Sequence, residues 1–135
     1  VAVFRISRRT QLSPEEAWRR VTDWPRHRAP FTRVSGDRNR VVARTRIGPV
    51  GFDDPMDVVA WSPPHRCRLE KRGRVVRGWA EIEVASAAGG GAVVVWRESL
   101  RVLGVPGVAD PLVAWVGRRV FGRQVDVLLA GPRRP

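Results

Sequence analysis

The stretch that most constrains this chain is its last apolar run, from Gly107 to Gly131. Asp110-Pro111 makes a helix start, because an aspartate oxygen accepts from free N–H groups and proline needs no N–H at the first helical position. Gly131-Pro132 makes the matching stop. Between them Val113, Val116, Gly117, Val120, Phe121, Gln124, Val127 and Leu128 recur at spacings of three and four, the pattern of one helical face. Arg118, Arg119, Arg123 and Asp126 fall on the other side. A helix of about 20 residues is roughly 30 Å long, as long as a small domain is wide. The rest of the chain must therefore wrap its apolar face.

What precedes the run alternates in the manner of strands. Val1 to Ser7 places Ala2, Phe4 and Ile6 on one face. Ser13-Pro14-Glu15-Glu16 then opens a short helix, with a capping serine, a proline at the first position and carboxylates in the first turn. Trp24 to Phe31 is too proline-rich for a long helix and predicts a short helical, turn-rich segment. From Thr32 to Leu103 period-two segments follow one another: 32–35, 40–47, 56–61, 65–72, 74–84 and 92–103, with Asp53-Asp54-Pro55 read as part of a loop. No repeat and no composition shift divides the chain, so 1–135 is expected to be one domain. The fold class expected is α+β, a seven-stranded curved antiparallel sheet around a long C-terminal helix, with two short helices after strand 1.

Charge needs separate treatment. The formal net charge is +12, yet Lys71 is the only lysine among 25 basic residues, tyrosine is absent and isoleucine occurs only at positions 6, 47 and 82. That profile is the mark of a GC-rich genome. The arginines are scattered, with no DNA-reading helix and no aromatic-basic strand motif, so no specific nucleic acid is expected. A basic surface still attracts polyanions, which keeps a peripheral anionic-membrane or nucleic-acid role open. No transmembrane segment is expected, because no run approaches the roughly 18 uninterrupted apolar residues of a membrane span. No basic-then-apolar leader pattern opens the sequence, although Val1 is not an initiator methionine and residues upstream are left open. Cys67 alone makes no internal disulfide and no zinc cluster. A reducing cytoplasm fits best.

Few residues offer chemistry. Glu98 turns inward if Val94, Trp96 and Leu100 do, and an interior carboxylate has a raised pKa suited to acid–base work; the alternatives are that Val93, Val95 and Arg97 form the inward set, or that Glu98 lies at the cavity rim bonded to an arginine. Gln124 is the one polar residue on the helical stripe, fit to orient a ligand, to bond a sheet side chain or to reach water at the cavity mouth. His27 and His65 have no partner at metal spacing and read as exposed or rim residues. Asp53-Asp54-x-x-Asp57 offers too few oxygens for calcium. Cys67, on a strand's apolar side, reads as an inert core thiol. No cofactor and no metal site is expected.

Taken in order, Ser13-Pro-Glu-Glu-Ala-Trp18, Asp23-Trp-Pro-Arg-His27, Trp61-Ser-Pro-Pro64 and Gly89-Gly-Gly-Ala-Val-Val-Val-Trp96 resemble the polyketide cyclase/dehydrase-like branch of the START/SRPBCC superfamily. Ala92 stands where that pattern has threonine. The resemblance implies a helix-grip fold with a cavity between sheet and C-terminal helix, in which members bind hydrophobic molecules such as lipids, sterols and polyketides, some with cyclisation.

Geometry leads to the same cavity. A strongly curved sheet cannot touch a straight helix along its whole length, and Gly78 and Gly117 supply little volume to fill the gap. The lining expected is Phe4, Met56, Trp96, Phe121 and Gln124, with Gly117 and Val120 beside them on the helix and Trp24 near the entrance. The expected function is binding of a hydrophobic or aromatic small molecule. A polyketide aromatase/cyclase with Glu98 as its catalytic group is the alternative. Oligomeric state is not legible.

Overall fold

The computed structural model describes residues 1–29, 31–37 and 39–130. Strand β1 (Ala2–Thr10) leads into helix α1 (Pro14–Val21) and a 3-10 turn at Trp24–Arg26. Seven more strands follow: β2 (Arg28–Ala29), β3 (Thr32–Gly36), β4 (Arg40–Ile47), β5 (Val50–Ser62), β6 (Arg66–Arg72), β7 (Val76–Ser86) and β8 (Ala92–Val102). A second 3-10 turn at Gly107–Ala109 precedes helix α2 (Asp110–Ala130). The strands form one antiparallel sheet in the order β1-β8-β7-β6-β5-β4-β3-β2. Seven are substantial and β2 adds two residues at the far edge. This is the helix-grip arrangement.

Local chemistry accounts for the elements. Ser13 caps α1 by accepting the Glu16 N–H at 3.2 Å, with Pro14 at the first position. Its buried face is Ala17, Trp18 and Val21. On β8, Ala92, Val94, Trp96, Glu98 and Leu100 are buried while Val93, Val95 and Arg97 are only partly so, so the strand turns its even-numbered residues to the core. Gly78 on β7 has φ +136, and a Cβ there would lie 1.8 Å from the Ser99 carbonyl oxygen. Only glycine fits that approach of backbone to backbone.

Two expectations are corrected. The buried face of α2 carries Gly117, Gly122, Gln124, Val125 and Leu128, with Val113, Val120 and Phe121 partly buried. Val116 and Val127 are 44% and 62% exposed, and Val125 is fully buried. Valine, leucine and alanine surround this helix on every side, so spacing alone does not orient it. Contact with β1 does: the Phe4 ring packs against Gly117, where a Cβ would come within 2.6 Å of it. The stop at Gly131-Pro132 lies outside the described residues, and so does Arg38 of the turn between β3 and β4.

The second correction is that 53–55 is strand, within β5, and not loop. Asp54 pairs with Ala43 of β4, and ladder pairing with β6 begins only at Met56 opposite Lys71. Pro55 therefore breaks no ladder on the β6 side. The consequence is chemical. Asp54 shares the inward face of Met56, two residues on.

Candidate functional site

Helix α2 packs along β1, and over the middle of the sheet the space beneath it is incompletely filled. A cavity of about 60 Å³ remains. Most of its wall is apolar, with Val41, Met56, Leu69, Ile82, Trp96 and Phe121 among the lining residues. A continuous run of rings borders it, from Trp24 to His27, Trp96 and Phe121, and continues to Phe4 outside its lining, with centroids 5.1–5.7 Å apart from each ring to the next. Such spacings are those of favourable aromatic pairs.

Sheet register sets the polar groups into this wall. Met56 lies between Val41 and Lys71, and Glu98 lies between Phe4 and Ala80. Lys71 Nζ donates to Asp54 Oδ2 at 2.7 Å and points a further N–H at the Met56 sulfur, 3.5 Å away. Trp96 Nε1 donates to Glu98 Oε1 at 3.3 Å. Burial pushes the Glu98 carboxyl above its usual range, against the pull of the Lys71 charge and the Trp96 hydrogen bond, and the Asp54 charge adds to the rise. Burial works against the Lys71 ammonium, but the charges of Glu98 and Asp54 and the Asp54 hydrogen bond outweigh it and raise its pKa.

The turn after α1 supplies the remaining polar contact. His27 is 2% exposed, not the rim residue expected from its sequence neighbours. Its Nε2 is 2.7 Å from the Val21 carbonyl oxygen, which can only accept, so Nε2 carries the proton. Nδ1 is then a bare acceptor and takes an N–H from Gln124 Nε2 at 2.8 Å. Burial lowers the His27 pKa to about 4, although the Val21 hydrogen bond and the Asp23 charge raise it. The ring is neutral at neutral pH. Three buried oxygens have no hydrogen-bond partner among the described residues: Asp54 Oδ1, Glu98 Oε2 and Gln124 Oε1. All three residues line the cavity.

Of the site residues read from sequence, Trp24, Met56, Trp96, Glu98, Phe121 and Gln124 come together around this one space. Phe4, Gly117 and Val120 do not line it. Phe4 fills the contact between β1 and α2 instead, stacked on Phe121 at 5.7 Å, and Gly117 is the hollow that receives it. Glu98 takes the inward of its two orientations. Asp54, Lys71 and His27 were missed. For Lys71 the signal lay in period two, since Cys67, Leu69 and Lys71 share one face of β6 and Lys71 is the lone lysine. Reading Met56 back by two gives Asp54. Nothing near His27 in the sequence marks it as buried.

The aspartates at 53, 54 and 57 separate. Asp53 pairs with Arg44 and Arg46 outside the sheet, Asp54 with Lys71 inside, and Asp57 with Arg72. Cys67 is buried, and desolvation pushes its thiol up to about 12. An open cleft near the end of α2 gathers Arg8, Arg9, Arg19 and Arg20. Arg8 is held by Asp126, while Arg19 and Arg20 are held by Glu16. Among the described residues no helix is long and apolar enough to cross a membrane.

The fold recurs among solved structures. A conserved protein from Geobacillus kaustophilus superposes with a TM-score of 0.76 at 15% identity, covering 95% of this chain and 93% of that one. A START superfamily protein from Mycobacterium smegmatis gives 0.70 at 11% identity, covering 93% and 98%. CalU16 from Micromonospora echinospora gives 0.63 at 16% identity, covering 98% and 77%. No family model and no curated protein matches the sequence. At such identities the likeness is one of fold.

Proposed function

We propose that this chain binds a small apolar or aromatic molecule, oriented by one polar end, in the cavity between α2 and the sheet. The observation that carries this reading is the cavity itself, an apolar space walled by Trp24, Trp96 and Phe121 into which a few polar side chains are built. Small-molecule sites have that composition. The fold shared with a START superfamily protein supports it. At about 60 Å³ the cavity holds about two waters at roughly 30 Å³ each, while a ring such as benzene occupies a cavity of about 150 Å³. As the side chains stand, a polar head with little more than one carbon fits, about the room of two waters. A larger, lipid- or polyketide-like body enters only as Trp24 or Phe121 turns outward.

The test is titration with an uncharged, environment-sensitive naphthalene dye. Micromolar binding that quenches tryptophan fluorescence is expected, and Ala43→Phe, which fills the space from β4, should weaken it at least tenfold. Absence of binding, or binding indifferent to that substitution, overturns the reading.

Glu98 supports a second reading, an aromatase/cyclase-type enzyme. A fully buried carboxyl with a raised pKa keeps its proton at a pH where an ordinary carboxyl has lost it, and can give it to a ligand carbonyl. Turnover of a poly-β-ketone that Glu98→Gln abolishes would establish it.

A further inference from the structure

The polar equipment of the cavity is lopsided. Trp24 Nε1 donates to the Asp37 carbonyl, Trp96 Nε1 to Glu98, His27 Nε2 to Val21 and Gln124 Nε2 to His27. Lys71 gives one N–H to Asp54 and points another at Met56. One N–H of Lys71 is left over. Against it, with Glu98 ionised, stand three oxygens without partners, from Asp54, Glu98 and Gln124; a proton on Glu98 makes one of the three a donor. Exchanging the oxygen and nitrogen of Gln124 does not rebalance the count, because the bare Nδ1 of His27 would then face an oxygen.

Charge is lopsided in the same sense. The ionisable groups lining the cavity are Asp54 of β5, Lys71 of β6, Glu98 of β8 and neutral His27. From β4, β7 and α2 the lining is uncharged: Val41 and Ala43, Ala80 and Ile82, Phe121 and Gln124. Lys71 and Asp54 cancel as an ion pair. Glu98 has no ion-pair contact among the described residues and shares the Lys71 charge with Asp54, so two carboxyls stand against one cation.

We propose that the ligand's polar end is a cationic hydrogen-bond donor, an alkylamine head that pairs with Glu98 and donates to the open oxygens of Gln124 and Asp54. The proposal rests on the cavity being a small-molecule site. A neutral amine entering the cavity takes the proton from the Glu98 carboxyl, leaving an ammonium beside a carboxylate. An amine entering as ammonium finds Glu98 already ionised or displaces its proton to solvent. Either way the unpaired buried carboxyl gains the partner that makes its charged form tolerable. The faces of Trp24, Trp96 and Phe121 add attraction for a cation. With Glu98 ionised, a carboxylate, or a chain of ketones offering only acceptors, would confront oxygens already short of donors. This polarity runs against the poly-β-ketone reading.

Three ligands of one size decide it: n-butylamine, 1-butanol and butyrate, titrated at neutral pH. The readouts are tryptophan fluorescence and the NMR signal of the Trp96 indole N–H, which touches Glu98. Butylamine should bind at least tenfold more tightly than butanol, with butyrate weakest. Glu98→Gln should lower butylamine affinity at least tenfold and bring it level with butanol on the same variant. Butanol or butyrate binding as well as the amine overturns the proposal, a comparison that needs only the wild-type protein. An amine preference that survives Glu98→Gln overturns it too. If the naphthalene dye binds and butanol displaces it but the amine has no advantage, only this inference falls. If neither dye nor any of the three disturbs the Trp96 signal, the binding reading falls with it.

Discussion

The carboxamide nitrogen of Gln124 stands 2.8 Å from Nδ1 of His27, joining residues 97 positions apart. The contact sets the tautomer of the ring and the direction of the amide together. With Nε2–H spent on the Val21 carbonyl, His27 has only a lone pair to offer α2, and Gln124 answers with its NH₂ group. The amide oxygen is thereby left without a partner. One hydrogen bond thus ties the segment after α1 to the C-terminal helix and also decides which atom remains for a ligand.

This neutral histidine makes stability depend on pH. Its folded pKa of about 4 lies below its ordinary 6.5, so its contribution is complete above pH 6.5 and is lost as pH falls toward 4. The loss amounts to about 3 kcal/mol. Glu98 acts in the opposite sense, since its raised pKa favours the fold below its ordinary 4.5 and disfavours it as pH rises. Urea midpoints from pH 8 to pH 4 should fall more steeply for wild type than for His27→Phe. The readout is the slope, because the variant also leaves Gln124 and Val21 unpaired. Glu98→Gln should steepen the fall between pH 6.5 and 4.5, because it removes the carboxyl whose contribution opposes that of His27.

Lys71 and Asp54 are a buried pair, 2.7 Å apart. Lys71→Met strands two carboxyl groups without their cation and should cost about 3–5 kcal/mol. Replacing both partners, as Lys71→Met with Asp54→Leu, should recover much of that loss. Denaturant unfolding of the two variants checks it. Equal losses would mean that the pair is not coupled.

Two glycines of α2 should respond differently to alanine. At Gly117 the new Cβ meets the Phe4 ring at 2.6 Å, and Phe4 is pinned between β1 and Phe121. Overpacking of about 1–3 kcal/mol should exceed the roughly 1 kcal/mol gained in helix propensity. At Gly122 the Cβ meets only the far end of Arg8, at 2.9 Å. Gly122→Ala should be neutral or stabilising. Thermal midpoints of the two variants should lie on either side of wild type or nearly so.

The orientation of α2 gives a third comparison within one helix. Val125→Ala removes fully buried carbon and should cost about 1–3 kcal/mol from lost transfer energy and the cavity left behind. Val127→Ala, at a 62% exposed position, should fall within about 0.5 kcal/mol of wild type. Equal effects in urea would place the helix in the rotation expected from spacing alone.

Cys67 should be silent in the folded protein. With its thiol pushed up to about 12 and no exposure, reaction with an aromatic disulfide reagent at pH 8 should proceed only at the rate of unfolding. Prompt reaction would show that β6 opens locally.

Sequence by itself determined the elements and the kind of fold. Strand alternation and turn residues are local, so β4, β6 and the inward row of β8 were legible, as was the long helix that those strands had to cover. Period two also placed Glu98 inward once Trp96 was known to be, and it held Lys71 and Asp54 on inward faces for a reader who carried it that far. Rotation of α2 was legible only in part: Gly117, Gln124 and Leu128 of the expected stripe are buried, but Val116 and Val127 are exposed and Val125 is buried, because a helix apolar on nearly every side has no sharply preferred face until Phe4 meets Gly117. Nor was His27, whose burial and tautomer come from Val21, Trp96 and Gln124 closing around it. Hydrogen-bond balance in the cavity belongs wholly to the tertiary structure. Asp54, Lys71, Glu98 and Gln124 reach it from three strands and a helix, and which of their atoms stay unpaired depends on distances that no spacing along the chain encodes.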